Sequence, residues 1–184
     1  MRVDQLMTHD VKVCRTDDML SRAAQLMWEG DCGCLPVISS NGDARLLGII
    51  TDRDIAMAAY IQGWQLSAIP VASVISREVV VCHRDDPIDK AEALMREHRV
   101  RRLPVVDREQ RLAGILSLND IAREAHREAS CGPRSQVTSA GVSDTLAVVS
   151  EPRTHTRSHC RQLNHLAKPD DAASYESSQR RIHA

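Results

Sequence analysis

The sequence predicts an α+β fold made of two copies of one β-α-β-β-α unit, related by an approximate twofold axis and followed by a mostly disordered tail. Residues 3–59 return, with two residues lost from a turn, as residues 71–125, and 21 of the 51 aligned positions are identical. Within each copy, the apolar spacing switches between the strand period and the helix period. A repeat of this size rarely buries a core alone, so the two copies should pack together. Function is therefore expected between them.

A short strand and a helix open each copy. Residues 11–14 alternate in the manner of a strand, and residues 79–82 repeat the pattern. The polar run 16–18 suits a helix N-terminus, and the helix that follows is predicted over residues 19–29, with apolar side chains on one face. In the second copy, Pro87 is placed in the first turn of the corresponding helix.

A hairpin and a second helix complete each copy. In the first copy, the apolar runs 35–38 and 46–50 flank a polar turn at residues 39–43, which predicts antiparallel pairing. The second helix is predicted to begin near Arg53. The matching features of the second copy are the runs 103–106 and 112–116 and a helix start near Asn119.

The chain divides on this basis into residues 1–64, 65–129 and 130–184. From Ser130 onward it is rich in Ser, Thr, Arg, His and Pro and lacks sustained periodicity, which favours disorder. Residues 145–149 are interpreted as a marginal strand within that tail.

Composition excludes several classes of function. A net charge of -1 lacks the positive excess that nucleic-acid binding usually needs, and an aromatic content of 2% with no Phe leaves few side chains for stacking on bases. No apolar run reaches the length of a membrane span, and the N-terminus lacks the apolar core of a signal peptide. We expect a cytoplasmic protein that binds neither membranes nor nucleic acid.

The cysteines and histidines could indicate a metal-binding or redox function. Cys14 and Cys82 occupy equivalent strand positions and are interpreted as buried small apolar residues. Cys32 and Cys34 form a Cys-Gly-Cys that the second copy lacks, and one such pair without further ligands is weak evidence for zinc or redox chemistry. In the tail, a possible zinc cluster comprises His155, His159, Cys160 and His165. No metal site is predicted from either set, and no catalytic motif is found.

Three elements together identify a family resemblance: Val-Asp-Gln-Leu-Met-Thr at residues 3–8, Leu-Pro-Val at the start of both hairpins, and Gly-Ile-Ile-Thr-Asp-Arg-Asp-Ile at residues 48–55. The last recurs in register at residues 114–121. These features resemble the cystathionine beta-synthase (CBS) domain family, and two tandem copies look like a stand-alone Bateman module. The resemblance implies a homodimer with an adenosyl ligand in clefts between the repeats: AMP, ADP, ATP, NAD or S-adenosylmethionine. No further cofactor is implied.

The repeated motif has a physical basis of its own. Thr51 lies where a strand gives way to a helix, so its hydroxyl and the first backbone N–H groups can face a phosphate. Asp54, about one turn further, can accept both hydroxyls of a ribose. Ser117 and Asp120 repeat the arrangement. The alternative is a capping box, in which each pair only closes its own helix N-terminus.

The two clefts are expected to differ. Arg53 offers a guanidinium to a phosphate, and the second copy has lost it. Arg101 and Arg102 resemble phosphate-contacting residues of family members, with a solvated basic edge as the alternative. The resemblance also implies that adenine contacts the strand ends near Val13 and Val81.

The sequence thus favours a non-enzymatic regulatory module that binds an adenosyl ligand and passes a change of shape to a second copy or to a regulated protein. Two rivals stay open. One is a thiol- or metal-responsive stress protein that uses the fold as a scaffold, with Cys14, Cys32, Cys34 or Cys82 as its sensor. The other is a structural dimerisation module with degenerate clefts.

Overall fold

The structure is a computed structural model that describes residues 1–130 and 137–152. It has α+β architecture, and each repeat folds as β-α-β-β-α, as the sequence predicts. The elements of repeat one are β1 (Cys14–Arg15), α1 (Leu20–Glu29), β2 (Cys34–Ile38), β3 (Leu46–Thr51) and α2 (Asp52–Gln62). Those of repeat two are β4 (Cys82–His83), α3 (Ile88–His98), β5 (Arg102–Val106), β6 (Leu112–Ser117) and α4 (Leu118–Ala129), and α5 (Ser139–Ser150) follows.

Each repeat forms one three-stranded sheet. The orders are β1-β2-β3 and β4-β5-β6, with a parallel first pair and an antiparallel hairpin as the second pair. The hairpin predictions are therefore confirmed. The first strands are shorter than predicted and begin at Cys14 and Cys82, because β1 and β4 pair only with the last two residues of their neighbours.

The predicted cap of the first helix is wrong. Helix α1 begins after Met19, which makes no side-chain capping bond, and the Oδ2 of Asp18 accepts from the backbone N–H of Arg15 at 2.7 Å. A carboxylate that closes the preceding turn in this way is not available to the helix. Pro87 likewise stands just before α3, at its N-cap position.

The segment that precedes the first strand of each repeat, here called its arm (residues 1–13 and 65–81), packs against the other repeat. The arm before β1 reaches repeat two, where Thr8 and Ile115 bond through their backbones in both directions, at 2.8 and 3.0 Å. The arm before β4 does the reverse, through Ser76 and Ile49 at 3.1 Å in both directions. Each hydrophobic core follows this exchange: Val3 lies in the core of repeat two and Val71 in that of repeat one, both fully buried. The repeats are therefore interlocked.

Part of the C-terminal segment is helical. Residues 145–149, interpreted above as a marginal strand, lie in α5, which packs against α3 and α4. Thr145 is fully buried, where its Oγ1 accepts from Arg96 at 2.7 Å and donates to the carbonyl of Gly141 at 2.8 Å. Val149 joins the core of repeat two. These tertiary contacts override the strand preference of a β-branched run. The expected disorder is therefore wrong for residues 139–150, and residues 131–136 and 153–184 lie outside the described residues.

Candidate functional site

The first motif lies at the junction of β3 and α2. The backbone N–H and the hydroxyl of Thr51 both donate to Asp54 Oδ2, at 2.9 and 2.7 Å, and the N–H of Asp54 donates to Thr51 Oγ1 at 3.2 Å. This is the capping box that the sequence left open as an alternative. It uses only one carboxylate oxygen, and within the described part of the chain Asp54 Oδ1 has no partner.

The second motif has the same cap at the junction of β6 and α4. The N–H and hydroxyl of Ser117 donate to Asp120 Oδ2, at 2.9 and 2.6 Å. Here the other oxygen is also engaged, because Asp120 Oδ1 accepts from the guanidinium of Arg123. Asp120 is only 6% exposed, whereas Asp54 is partly exposed.

The start of α2 offers fewer anion-binding groups than the sequence suggested. The N–H of Asp52 donates to the carbonyl of Gly33 at 3.2 Å, and that of Arg53 donates to Asp52 Oδ1 at 2.7 Å. The N–H of Asp54 is engaged by Thr51, as described above. With all three groups engaged, a phosphate there depends on side-chain cations. The exposed side chain of Arg53 is one candidate.

The paired arginines before the second hairpin have different partners. Arg101 donates to the hydroxyl of Ser150 in α5 at 3.2 Å, so it lies against the C-terminal helix. Arg102 pairs with Ser117 across β5 and β6, and its positive charge partly offsets the rise that burial causes in the pKa of the Cys34 thiol of repeat one. Arg102 therefore lies on the side where the repeats meet. Arg102 is the first residue of β5, whereas Arg101 lies just before the strand.

Both predicted adenine-contacting residues are partly buried just before a first strand. The arm exchange places the chain segment that leads to each of them against the other repeat. The chain leading to Val81 passes Ser76, which pairs with β3, and β3 ends in Thr51. The chain leading to Val13 passes Thr8, which pairs with β6 in the same way. The arm of each repeat thus pairs with the strand that ends in the other repeat's motif, which the sequence alone did not indicate.

An open groove of about 420 Å³ lies elsewhere, between α1 and α2. Its lining includes Met27, Trp28, Asp52 and Ile55, and the Trp28 side chain is 88% exposed. The corresponding helix pair of repeat two is the one that α5 packs against. Helices α1 and α2 contribute most of the lining of this groove, and Asp54 is not part of that lining.

The described cysteines are poor candidates for a sensor. Cys14, Cys32, Cys34 and Cys82 are all free thiols, and three of them are buried. Within residues 1–130 and 137–152, no group of three or more His, Cys, Asp or Glu side chains is placed to hold a metal ion. The histidines and Cys160 of the tail lie outside the described residues. In the same part of the chain, no helix is long and apolar enough to cross a membrane.

We expect Cys14 and Cys82 to resist alkylation in the folded protein. Burial raises the pKa of both thiols from 9.0 to about 12, which leaves almost no thiolate at neutral pH. Iodoacetamide labelling at pH 7.5, located by peptide mass spectrometry, should modify the half-buried Cys32 first among the four described cysteines, and Cys14 and Cys82 only after unfolding. Because the folded pKa is raised, their contribution to stability should be lost as the pH rises from about 9 to 12. Rapid labelling of either residue at neutral pH would favour the thiol-sensor alternative.

The family model for the CBS domain matches residues 3–60 and 71–127. A curated relative is the CBS domain-containing protein YhcV of Bacillus subtilis, 35% identical over 130 residues. The alignment covers 71% of this chain and 89% of YhcV.

Solved structures of similar fold contain different ligands. Hypoxic Response Protein I with two coordinated zinc ions is 32% identical with a TM-score of 0.60, and the match covers 67% of this chain and 98% of that one. CBSX2 in complex with AMP is 26% identical with a TM-score of 0.61, covering 70% and 98%. The CBS domain pair of MJ0100 in complex with 5′-methylthioadenosine and S-adenosyl-L-methionine is 25% identical with a TM-score of 0.61, again covering 70% and 98%.

Proposed function

We propose a regulatory, ligand-binding function on the premise that the chain belongs to the CBS domain family. The ligand is an adenine nucleotide or another adenosyl compound, held between the two repeats without chemical change. AMP in the CBSX2 complex and S-adenosyl-L-methionine in the MJ0100 complex support this ligand class.

One observation carries the proposal: Asp54 is fixed by its Oδ2 and keeps its Oδ1 without a partner in the described part of the chain. An ionised carboxylate oxygen is a strong acceptor for hydroxyl donors. A carboxylate already fixed by its helix cap has less conformational freedom to lose on binding a ribose. The capping box therefore orients the acceptor, and capping and ligand binding are compatible.

The phosphate contributes less to this recognition than the ribose. The first N–H groups of α2 are engaged within the chain, so only side chains such as Arg53 and Arg102 are left to attract an anion. Such exposed cations give a salt-sensitive attraction. The site thus suits adenosyl ligands with and without phosphate.

The signal would be a shift between two arrangements of the repeats. A ligand moves such an equilibrium only by its difference in affinity for the two states. The interlocked arms connect each motif to the other repeat, since β3 bonds to Ser76 and β6 to Thr8. A second copy of the chain or a regulated protein that contacts both repeats would then respond to the change in their arrangement.

A thermal-shift series on the full chain tests the ligand class. A ligand at about 100 times its Kd adds roughly 2.7 kcal/mol, or a few degrees in Tm for a domain of this size. We expect AMP, S-adenosylmethionine and 5′-methylthioadenosine to raise the Tm, and 2′-deoxyadenosine monophosphate to raise it less than AMP. If none of them shifts the Tm, the chain is better described as a dimerisation module.

A metal-responsive function is a second candidate, because the structurally similar Hypoxic Response Protein I contains two coordinated zinc ions. Cys32 and Cys34 are close in sequence, but the described residues bring no third ligand to them. Elemental analysis of the full chain after zinc loading and buffer exchange separates the two proposals. Stoichiometric zinc would favour this candidate, and its loss on replacing Cys32 and Cys34 with Ser would locate it.

A further inference from the structure

The two repeats present the same motif carboxylate in different states. In repeat one, both contacts of Asp54 use Oδ2. In repeat two, Asp120 makes the same contacts through Oδ2, and its Oδ1 is bound by Arg123. The second carboxylate is thus engaged through both oxygens, by the N-cap residue Ser117 and by Arg123 of α4.

The difference comes from one position. Arg123 stands three residues after Asp120, a spacing that places the two side chains on one face of α4. The aligned residue of repeat one is Met57, which has no donor and is exposed. Arg123 is 77% exposed and Asp120 only 7% by side chain, so the guanidinium covers the carboxylate from the solvent side.

We infer that Arg123 closes the repeat-two cleft to ribose, so that the chain binds one adenosyl ligand, at the repeat-one motif. A ribose hydroxyl at Asp120 must displace the guanidinium of Arg123, which offers the carboxylate a positive charge in addition to a hydrogen bond. The same hydroxyl at Asp54 displaces only water. We expect the second site to be weaker by about tenfold to a hundredfold.

This inference rests on the proposed function, since it concerns which of two motifs binds the adenosyl ligand. It does not depend on Arg53, Arg101 or Arg102. It also differs from the sequence-based expectation that the lost Arg53 equivalent weakens the second cleft, because it attributes the weakness to an added cation.

Exchanging the two residues tests the inference. Full-chain protein, Arg123→Met and Met57→Arg are titrated separately with AMP and with S-adenosylmethionine by isothermal calorimetry. Each substitution installs the residue that the other repeat carries there. Arg127→Met is the matched control, because it removes the same charge from α4 one turn later, where the guanidinium pairs with Glu124. Thermal unfolding without ligand confirms that each variant is folded.

The expected stoichiometry is one ligand per chain for the natural sequence and for Arg127→Met, and two for Arg123→Met. Met57→Arg should weaken the first site by about tenfold or more. One site in Arg123→Met, or two equivalent sites in the natural sequence, would overturn this inference and leave the proposed function intact. No binding of either compound to any variant would overturn the proposed function itself.

Discussion

Gly114→Ala is expected to lower the free energy of unfolding by about 3 kcal/mol, the upper part of the range for overpacking a filled interior. A Cβ at this position would lie 2.5 Å from the carbonyl oxygen of Thr8 and 3.0 Å from the sulfur of Met7. Thr8 is held there by backbone bonds to Ile115. Because the obstacle is backbone, relief requires the arm to separate from β6. The glycine of the repeated motif is needed for the exchange of arms.

Urea denaturation followed by circular dichroism measures the effect. Gly48→Ala, whose Cβ would lie 2.8 Å from the carbonyl oxygen of Ser76, should behave similarly with a smaller loss. Gly141→Ala in α5 is the control, because its Cβ meets only side-chain atoms and alanine favours helix. A loss below about 0.5 kcal/mol in Gly114→Ala would show that the arm is not fixed against the sheet.

Asp54→Asn is expected to weaken AMP binding by at least about tenfold, because hydrogen bonds to a charged group contribute roughly 1.5–3 kcal/mol. Asparagine keeps an oxygen to accept from the N–H of Thr51, so helix α2 stays capped. Alanine would also remove the two bonds from Thr51 to Asp54 Oδ2, which are half of the capping box, and lower stability by about 1 kcal/mol. The amide variant therefore separates ribose binding from folding.

Asp120→Asn provides the matched control for this measurement. It makes the same chemical change in the same capping box, but at a carboxylate that Arg123 already engages. Calorimetry with AMP should show little change in affinity at the first site. If Asp54→Asn and Asp120→Asn lose affinity equally, the clefts are equivalent. If neither loses affinity, the carboxylates serve only as caps.

The sequence predicted what depends on local pattern. Strand and helix periods, the hairpin turns and the strand-to-helix junctions at Thr51 and Ser117 are read from a few neighbouring residues. The exchange of arms was not predictable in this way, because nothing in residues 1–8 indicates that they pack on the distant repeat. Helix α5 was missed for a related reason: its buried Thr145 and Val149 gain their partners only in the folded chain.

Some features of the candidate site were within reach of the sequence. The spacing of Asp120 and Arg123, for example, matches an ion pair on a helix. The extent of the hairpins was not within reach: they continue past the predicted runs, so that the N–H of Asp52 bonds to the carbonyl of Gly33 and that of Leu118 to the carbonyl of Arg101. These bonds are the same in both repeats, and the two motifs differ instead in the carboxylate oxygen that Arg123 engages in repeat two.

A crystal structure of the full chain grown with AMP tests the central claim most directly. The distance to measure is that from Asp54 Oδ1 to the ribose hydroxyl oxygens. Recognition by this carboxylate predicts one AMP per chain, with at least one hydroxyl oxygen about 2.5–3.0 Å from Oδ1. An AMP whose ribose lies against Asp120, or against neither motif, would contradict it.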